Sequence, residues 1–519
     1  MDKQRLEKWS DALYQFGKHV IWVFGLMIAG LLLIFNFIYQ ASVAYNTGEI
    51  VTIERTSPVY VALGLLLVIF FAVALKYLER LDERVLFRFF MIIYLIAGAY
   101  WILNISTTLR ADAAHINNAA NLAALGDFSF LELGRDIRNH PWQLGMITYE
   151  RILGMFSRNV QLLFLVNLVA ILGINGLTYR MADTIFEHDH RTNLLTIVFS
   201  FCFLPQFFFL AFAYGLVPAF FCMMCGFYFQ QRYFRERKMR YAVAGIVMAV
   251  LAMVLKGNFM VGVITMILLF VMQLLKEKKL RYLFLALVLF VATRIPGPAL
   301  LAAYEYESGY ELNSGEPKLL YVAMGIMPEN RGMAPGWYCG YNDYTYGYVN
   351  FDPEAANEMA KESIKESLAH YVADPADAVE FFSGKIASVW CEPMYQSLWS
   401  GPLTDANQLV ETRVLQSLYH GATLEHIVCA YMKGFLMLLL ALTVWYVVCK
   451  RKQSYAFAYA LIYFVGGFLL HIAWEGKSQY VYTYIFILIP GCAHAFSVLS
   501  AQIGEKISEK AGRNRSEGN

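Results

Sequence analysis

The sequence predicts an all-α, multi-pass transmembrane protein of about twelve helices with an extracytoplasmic loop domain. Three observations lead there. The chain of 519 residues is 58% hydrophobic and only 16% charged, with a mean hydropathy of +0.46, a profile foreign to soluble enzymes. Its apolar residues gather in runs of the length, roughly 20 residues, that crosses a bilayer. Its Lys and Arg residues cluster in alternate loops, as the positive-inside rule requires.

Taken in order, the N-terminal lead MDKQRLEKWSDALYQFGKH is mixed in charge, and the run after it is long enough to span. That pattern predicts an uncleaved first helix and not a signal peptide. Apolar runs occupy about 19–41, 58–78, 85–104, 160–181, 193–212, 214–231, 240–275, 281–299, 428–449, 454–474 and 479–502. The run 240–275 would measure about 54 Å as one helix, against a hydrocarbon core of about 30 Å. Basic clusters flank both its ends, Arg232 to Arg240 before and Lys276 to Arg281 after. It therefore crosses twice and turns at Lys256-Gly257-Asn258. Further basic clusters lie in the lead, in 76–88, at Lys450-Arg451-Lys452 and in the C-terminal tail. Both termini are thus expected in the cytoplasm of a cell bounded by this membrane. The polar stretch Arg110–Arg151, the Lys256 turn, the loop of 300–426 and the segment Trp474–Gln479 all face outward.

Four regions follow: an N-terminal transmembrane module, 1–299, with an outer loop at 105–159; an extracytoplasmic loop domain, 300–426; C-terminal transmembrane helices, 427–503; and a charged, frayed tail, 504–519. Within the loop domain, PEAANEMAKESIKESLAHYVADP reads as a helix that begins near Pro353 and stops at Pro375. A second helix, DAVEFFSGKIASVW, follows it. The eight cysteines are scattered. Cys222 and Cys225 read as small buried hydrophobes. Cys339 and Cys391 share one polar segment, where they either pair or stay free.

The outward polar residues are the candidates for chemistry. Asp112 opens a short helix, AAHINNAANLAAL, where it serves as an N-cap, as a general base at the membrane surface, or as both. His115 lies one turn on, and two such residues alone do not define a metal site. A divalent ion stays open, and no cofactor is required by any motif. Arg135, Arg138 and His140 precede Pro141-Trp142-Gln143. They either anchor an interfacial loop or recognise phosphate, for which Arg offers a bidentate fork. Lys256 either snorkels to the surface or neutralises a lipid phosphate. Glu475 and Lys477 form a surface ion pair or an anion site at the start of a Tyr-rich helix. No phosphate-binding P-loop, GxGxxG, HExxH or GxSxG element stands in a suitable context, which leaves nucleotide-driven transport and proteolysis by those routes without support.

The block from Asp112 to His140-Pro141-Trp142-Gln143-Leu144-Gly145 resembles bacterial GT-C glycosyltransferases, whose comparable block has an Asp and then a Tyr-Pro element before the next helix. Three further blocks are similar: Gly384-Lys385 through Trp390-Cys391-Glu392 to Trp399, Gly466-Gly467 through His471 to Tyr480, and Pro335 to Asn342. The acidic loop follows the first helix in the best-known members, whereas here further helices precede it, and His140 stands where those carry Tyr. The architecture resembles the protein O-mannosyltransferases and the lipid A aminoarabinose transferase. The resemblance implies an inverting membrane glycosyltransferase that takes a sugar from a polyprenyl-phosphate donor on the outer face of the plasma membrane. A cell-envelope glycan, lipid or protein would accept the sugar, and no nucleic acid would be a partner. By the same resemblance Asp112 is the catalytic carboxylate. Arg135, Arg138, Lys256 and Lys477 are expected to bind the donor phosphate, and His140, Gln143, Trp337, Trp390, Glu392 and Glu475 the sugar and acceptor. A transporter or flippase of lipid-linked saccharides, or a polysaccharide polymerase, is the alternative. A transporter would bury charge in mid-helix and repeat its halves.

Overall fold

The structure is a computed structural model that describes residues 3–44, 48–401, 412–419, 422–450 and 457–516. Arg451 and Lys452 of the expected basic cluster lie outside the described residues. Helix dominates, and the chain is a multi-pass helical membrane protein. Seven helices are long and apolar enough to cross a bilayer among the described residues, or up to nine if each of two bent pairs counts as one span. The seven are Glu7–Ile38, Pro58–Leu78, Glu83–Asn104, Val160–Ile185, Gly257–Glu277, Arg281–Ser308 and Thr423–Cys449. Their outer faces carry exposed Leu65, Leu66, Phe70, Ile96 and Leu103, as lipid-facing surfaces do.

The difference from about twelve has physical causes. Met239–Leu255 and Ala458–Ala473 have 17 and 16 residues, about 24–26 Å of helix, short of a bilayer core of about 30 Å. Leu216–Glu236 ends in a polar stretch, Gln230 to Glu236. The run 193–212 bends by 51° between Cys202 and Leu204, and the last run bends by 48° after Phe486. The run 281–299 continues to Ser308, so the loop region starts later than 300. The final helix runs on to Ser516, where a frayed tail was expected.

Local chemistry explains where helices begin and turn. Ser57 and Asp82 cap Pro58–Leu78 and Glu83–Asn104, the Asp82 carboxylate accepting from Arg84 N at 2.9 Å and Val85 N at 3.2 Å. The basic turns at 237 and 278 are tight: Arg237 and Lys278 each adopt left-handed backbone at a helix C-cap. The helix expected from Pro353 is Pro353–Ala373, and Asp352 caps it. Pro375 does not only stop that helix; it occupies the first turn of the next, Pro375–Trp390, with Asp374 as its cap.

Two features were not foreseen. The first helix ends at Ile38, and an antiparallel ribbon, Tyr39–Val43 with Val51–Arg55, follows. Lys433, within the span Thr423–Cys449, is fully buried, and its Nζ donates to Asn36 Oδ1 at 2.7 Å, Tyr39 O at 2.7 Å and Cys391 O at 3.3 Å. It ties the ribbon, the first helix and the segment after Trp390 into one body. Cys339 and Cys391 are free thiols, so the pairing left open is not made.

Candidate functional site

Four segments, two of them from the one stretch 110–151, meet at one place. The first is the helix Ala111–Ala123, whose Ala113, Ile116, Ala119, Ala120 and Ala123 are buried and pack on the helix Leu144–Gly154. Its other face presents Asp112 and His115. Asp112 is not the N-cap: Arg110 holds that position, and Ala111 takes left-handed backbone at φ 46°. Asp112 therefore sits inside the first turn, half-buried, and its carboxylate accepts the Tyr214 hydroxyl. Arg110 lies over the Trp399 ring at 4.5 Å.

The second segment is the Lys256 turn, seated by two close backbone approaches. A side chain on Gly145 would come within 2.2 Å of Val254 O. Gly215, at φ 74°, faces Leu255 O, which a Cβ there would meet at 2.7 Å. Only glycine lets the backbone come so close. The result sets Lys256 Nζ 3.2 Å from the centroid of the Tyr214 ring and 6.0 Å from that of Tyr480. Burial lowers the Lys256 pKa to about 7, against the pull of Asp112. Lys256 makes no ion pair within 4.0 Å among the described residues.

The third segment is Trp474–Lys477, fixed to the loop region by Glu475 N donating to Tyr321 O at 3.0 Å and Gly476 N to Gly336 O at 2.8 Å. Lys477 pairs with Glu49 at 2.7 Å and Glu475 at 3.7 Å, and lies 5.1 Å from the Tyr338 ring centroid. Burial opposes its charge, but Glu49, Glu475 and Asp112 outweigh burial and raise its pKa. Glu475 is buried, and burial pushes its carboxyl up to about 7.

The fourth segment carries His140. Its Nδ1 is 2.9 Å from Asp136 Oδ1, and its Nε2 is 3.2 Å from Glu316 Oε2 and 3.8 Å from Asp343 Oδ1. Burial opposes protonation of His140, but Asp136 and Glu316 raise its pKa to about 10. Against its own burial, His115 and His140 hold Asp136 well below the usual carboxylate range. Burial and the neighbouring Glu316 raise Asp343 to about 6. Tyr338 joins this cluster to the lysine pocket: its hydroxyl donates to Asp343 Oδ2 at 2.6 Å while Lys477 lies over its ring.

Of the residues the sequence points to, Asp112, Lys256, Glu475 and Lys477 converge. Gln143 joins them through Tyr214, its Nε2 lying 3.5 Å from the hydroxyl. Other candidates sit elsewhere. Arg135 is exposed and pairs with Glu132 at 3.7 Å. Arg138 donates to Leu131 O at 2.9 Å and Glu311 O at 2.8 Å, which braces its own loop. Trp337 is fully buried, its indole N–H donating to Ser388 Oγ at 2.8 Å. Trp390 is packed against Phe464, Phe468 and Tyr484. Glu392 is buried and accepts from Met394 N at 2.8 Å, Gln396 N at 2.5 Å and Ser478 Oγ at 2.9 Å. Burial raises its carboxyl to about 7.

Tyr214, Glu49, Glu316 and Asp343 complete the site without any motif to announce them. Each is an isolated polar residue, and only the fold joins them. Comparison with protein-family models and with curated proteins finds no match for this chain.

Proposed function

We propose that this protein is an inverting membrane glycosyltransferase that moves a sugar from a polyprenyl-phosphate donor to a cell-envelope glycan, lipid or protein, with its site on the extracytoplasmic side. The observation that carries the reading is the meeting of Asp112 with two lysines, of which Lys256 has no ion-pair partner among the described residues. A carboxylate beside lysines, one of them without a carboxylate partner within 4.0 Å among the described residues, suits transfer from a phosphate ester. The acceptor hydroxyl gives its proton to Asp112 as its oxygen attacks the anomeric carbon. The bond from that carbon to the phosphate oxygen breaks on the opposite face, and the lipid phosphate leaves with its electron pair. Lys256 and Lys477 stabilise the negative charge that grows there. Tyr214 orients Asp112. The apolar surface of the spans keeps the lipid chain in the bilayer while its head reaches the site. The resemblance of the blocks around Asp112, Trp390 and Lys477 to GT-C enzymes supports the same reading.

The test is direct. Purified protein in lipid vesicles receives a panel of radiolabelled polyprenyl-phosphate sugars together with cell-envelope extract. Transfer of label from at least one donor to the extract is expected. Label that crosses the bilayer while still attached to its carrier would favour the transporter reading, and retention of every donor unchanged would overturn the transferase.

A further inference from the structure

We propose that His140, Glu316 and Asp343 form a site for a divalent transition cation of the zinc or manganese class. The ligand atoms these three residues offer lie within 4.8 Å of one another. His140 Nε2 stands 3.2 Å from Glu316 Oε2 and 3.8 Å from Asp343 Oδ1. Metal–ligand bonds of about 2.0–2.2 Å place neighbouring donor atoms about 3–3.5 Å apart in tetrahedral or octahedral geometry. A cation therefore fits between these atoms with small side-chain rotations.

The surroundings are those of a ligand set. His140 Nδ1 meets Asp136 Oδ1 at 2.9 Å, and a carboxylate on the far nitrogen fixes the tautomer that turns Nε2 toward a metal. Glu316 is 2% exposed. Its Oε2 accepts from Asn342 Nδ2 at 2.9 Å and from the Tyr321 hydroxyl at 3.1 Å. Its Oε1 is buried and has no hydrogen-bond partner among the described residues, a costly condition for a carboxylate oxygen. Tyr338 holds Asp343 Oδ2, which leaves Oδ1 toward His140. Each ligand thus has its own outer partner.

Charge points the same way. Asp136, Glu316 and Asp343 surround one imidazole, and a divalent cation offsets two of their three charges. An imidazole among carboxylates favours first-row transition cations over Mg²⁺ and Ca²⁺. Three protein ligands leave a coordination position open. The competing occupants of the gap are protons, one on His140 Nε2 facing Glu316 Oε2 at 3.2 Å and one shared between Glu316 and Asp343, and the cation displaces both. The proposal does not depend on the transfer reaction.

The full-length protein in detergent is stripped with a chelator, reloaded with Zn²⁺, Mn²⁺ or Mg²⁺, desalted and assayed for bound metal and thermal unfolding. About one Zn²⁺ or Mn²⁺ per chain is expected, with a raised Tm. His140→Gln, Glu316→Gln and Asp343→Asn should each lose the ion, and Asp136→Asn should weaken it by about 10–100-fold. Glu132→Gln, outside the cluster, should retain it. Asp343→Asn keeps the shape and the Tyr338 hydrogen bond, so it decides the matter if the His140 or Glu316 variant fails to fold. Wild-type protein without bound metal, an Asp343→Asn variant with full occupancy, or Mg²⁺ bound in preference to Zn²⁺ and Mn²⁺ would each overturn the proposal.

Discussion

Asp112→Asn separates the chemistry of the proposed base from its place in the fold. The amide has the size of the carboxylate and still accepts the Tyr214 hydroxyl, which burial and Asp112 keep protonated by raising its pKa. Asp112 is one residue inside its helix and not the cap, so the substitution removes only a favourable charge–dipole term of about 0.3–1 kcal/mol. The fold and its thermal stability should therefore change little. Proton acceptance disappears, and general-base contributions are about 10²–10⁴-fold in rate. That range equals about 2.7–5.5 kcal/mol of barrier at about 1.36 kcal/mol per tenfold. Removing the negative charge also takes from Lys256 the interaction that most favours its protonation, so donor binding can weaken modestly. Single-turnover transfer with saturating labelled donor isolates the chemical step from that effect. Asp127→Asn is the control in the same loop, since the Asp127 carboxylate accepts from Ser129 N at 2.9 Å and does not face the lysines. Transfer by Asp112→Asn within tenfold of wild type, at saturating donor and with intact fold, would refute Asp112 as the base.

Lys256 deprotonates near pH 7 and Glu475 ionises near pH 7; raising the pH through 7 removes a positive charge and adds a negative one, so polyprenyl phosphate should compete less well above pH 7 than below it, and Lys256→Gln should bind weakly with a flatter profile, which competition against labelled donor across pH 6–8 (about one unit either side of 7) measures. Lys385 is buried and donates to Gly325 O at 2.5 Å, Trp474 O at 2.8 Å and Ile472 O at 3.1 Å; Lys385→Met leaves these carbonyls without their donor and should cost about 1–3 kcal/mol, read as loss of folded yield or Tm, with no loss meaning that the clamp is dispensable. Asn258→Cys and Asn313→Cys, in a background without the eight native cysteines, should both react with an impermeant thiol reagent in intact cells, and labelling only after lysis would reverse the proposed orientation.

The sequence by itself determined that this is a multi-pass helical membrane chain, because hydropathy sums along the chain and needs no partner. Local signals also sufficed for the helix at 353, whose start at Pro353 and end before Pro375 are set by the chain itself. The break at Lys256 was legible from the length of the run 240–275, the basic clusters at both its ends and its one polar interruption, Lys256-Gly257-Asn258. Span number was not legible, because 17- and 16-residue helices and bends at Phe203 and Phe486 depend on how helices lean on one another. Roles divided the same way. Asp112, Lys256 and Lys477 stand out as charges between apolar runs, but only tertiary packing brings them together, through contacts such as Gly145 on Val254 and Gly215 on Leu255. Arg135 and Arg138 look equally suitable in sequence and point elsewhere. Trp337 and Trp390 are core packing, a fact of burial and not of residue type. The cluster of His140, Glu316 and Asp343 is invisible in sequence, because 176 residues separate His140 from Glu316, and proximity in space is a property of the packed chain and not of its order.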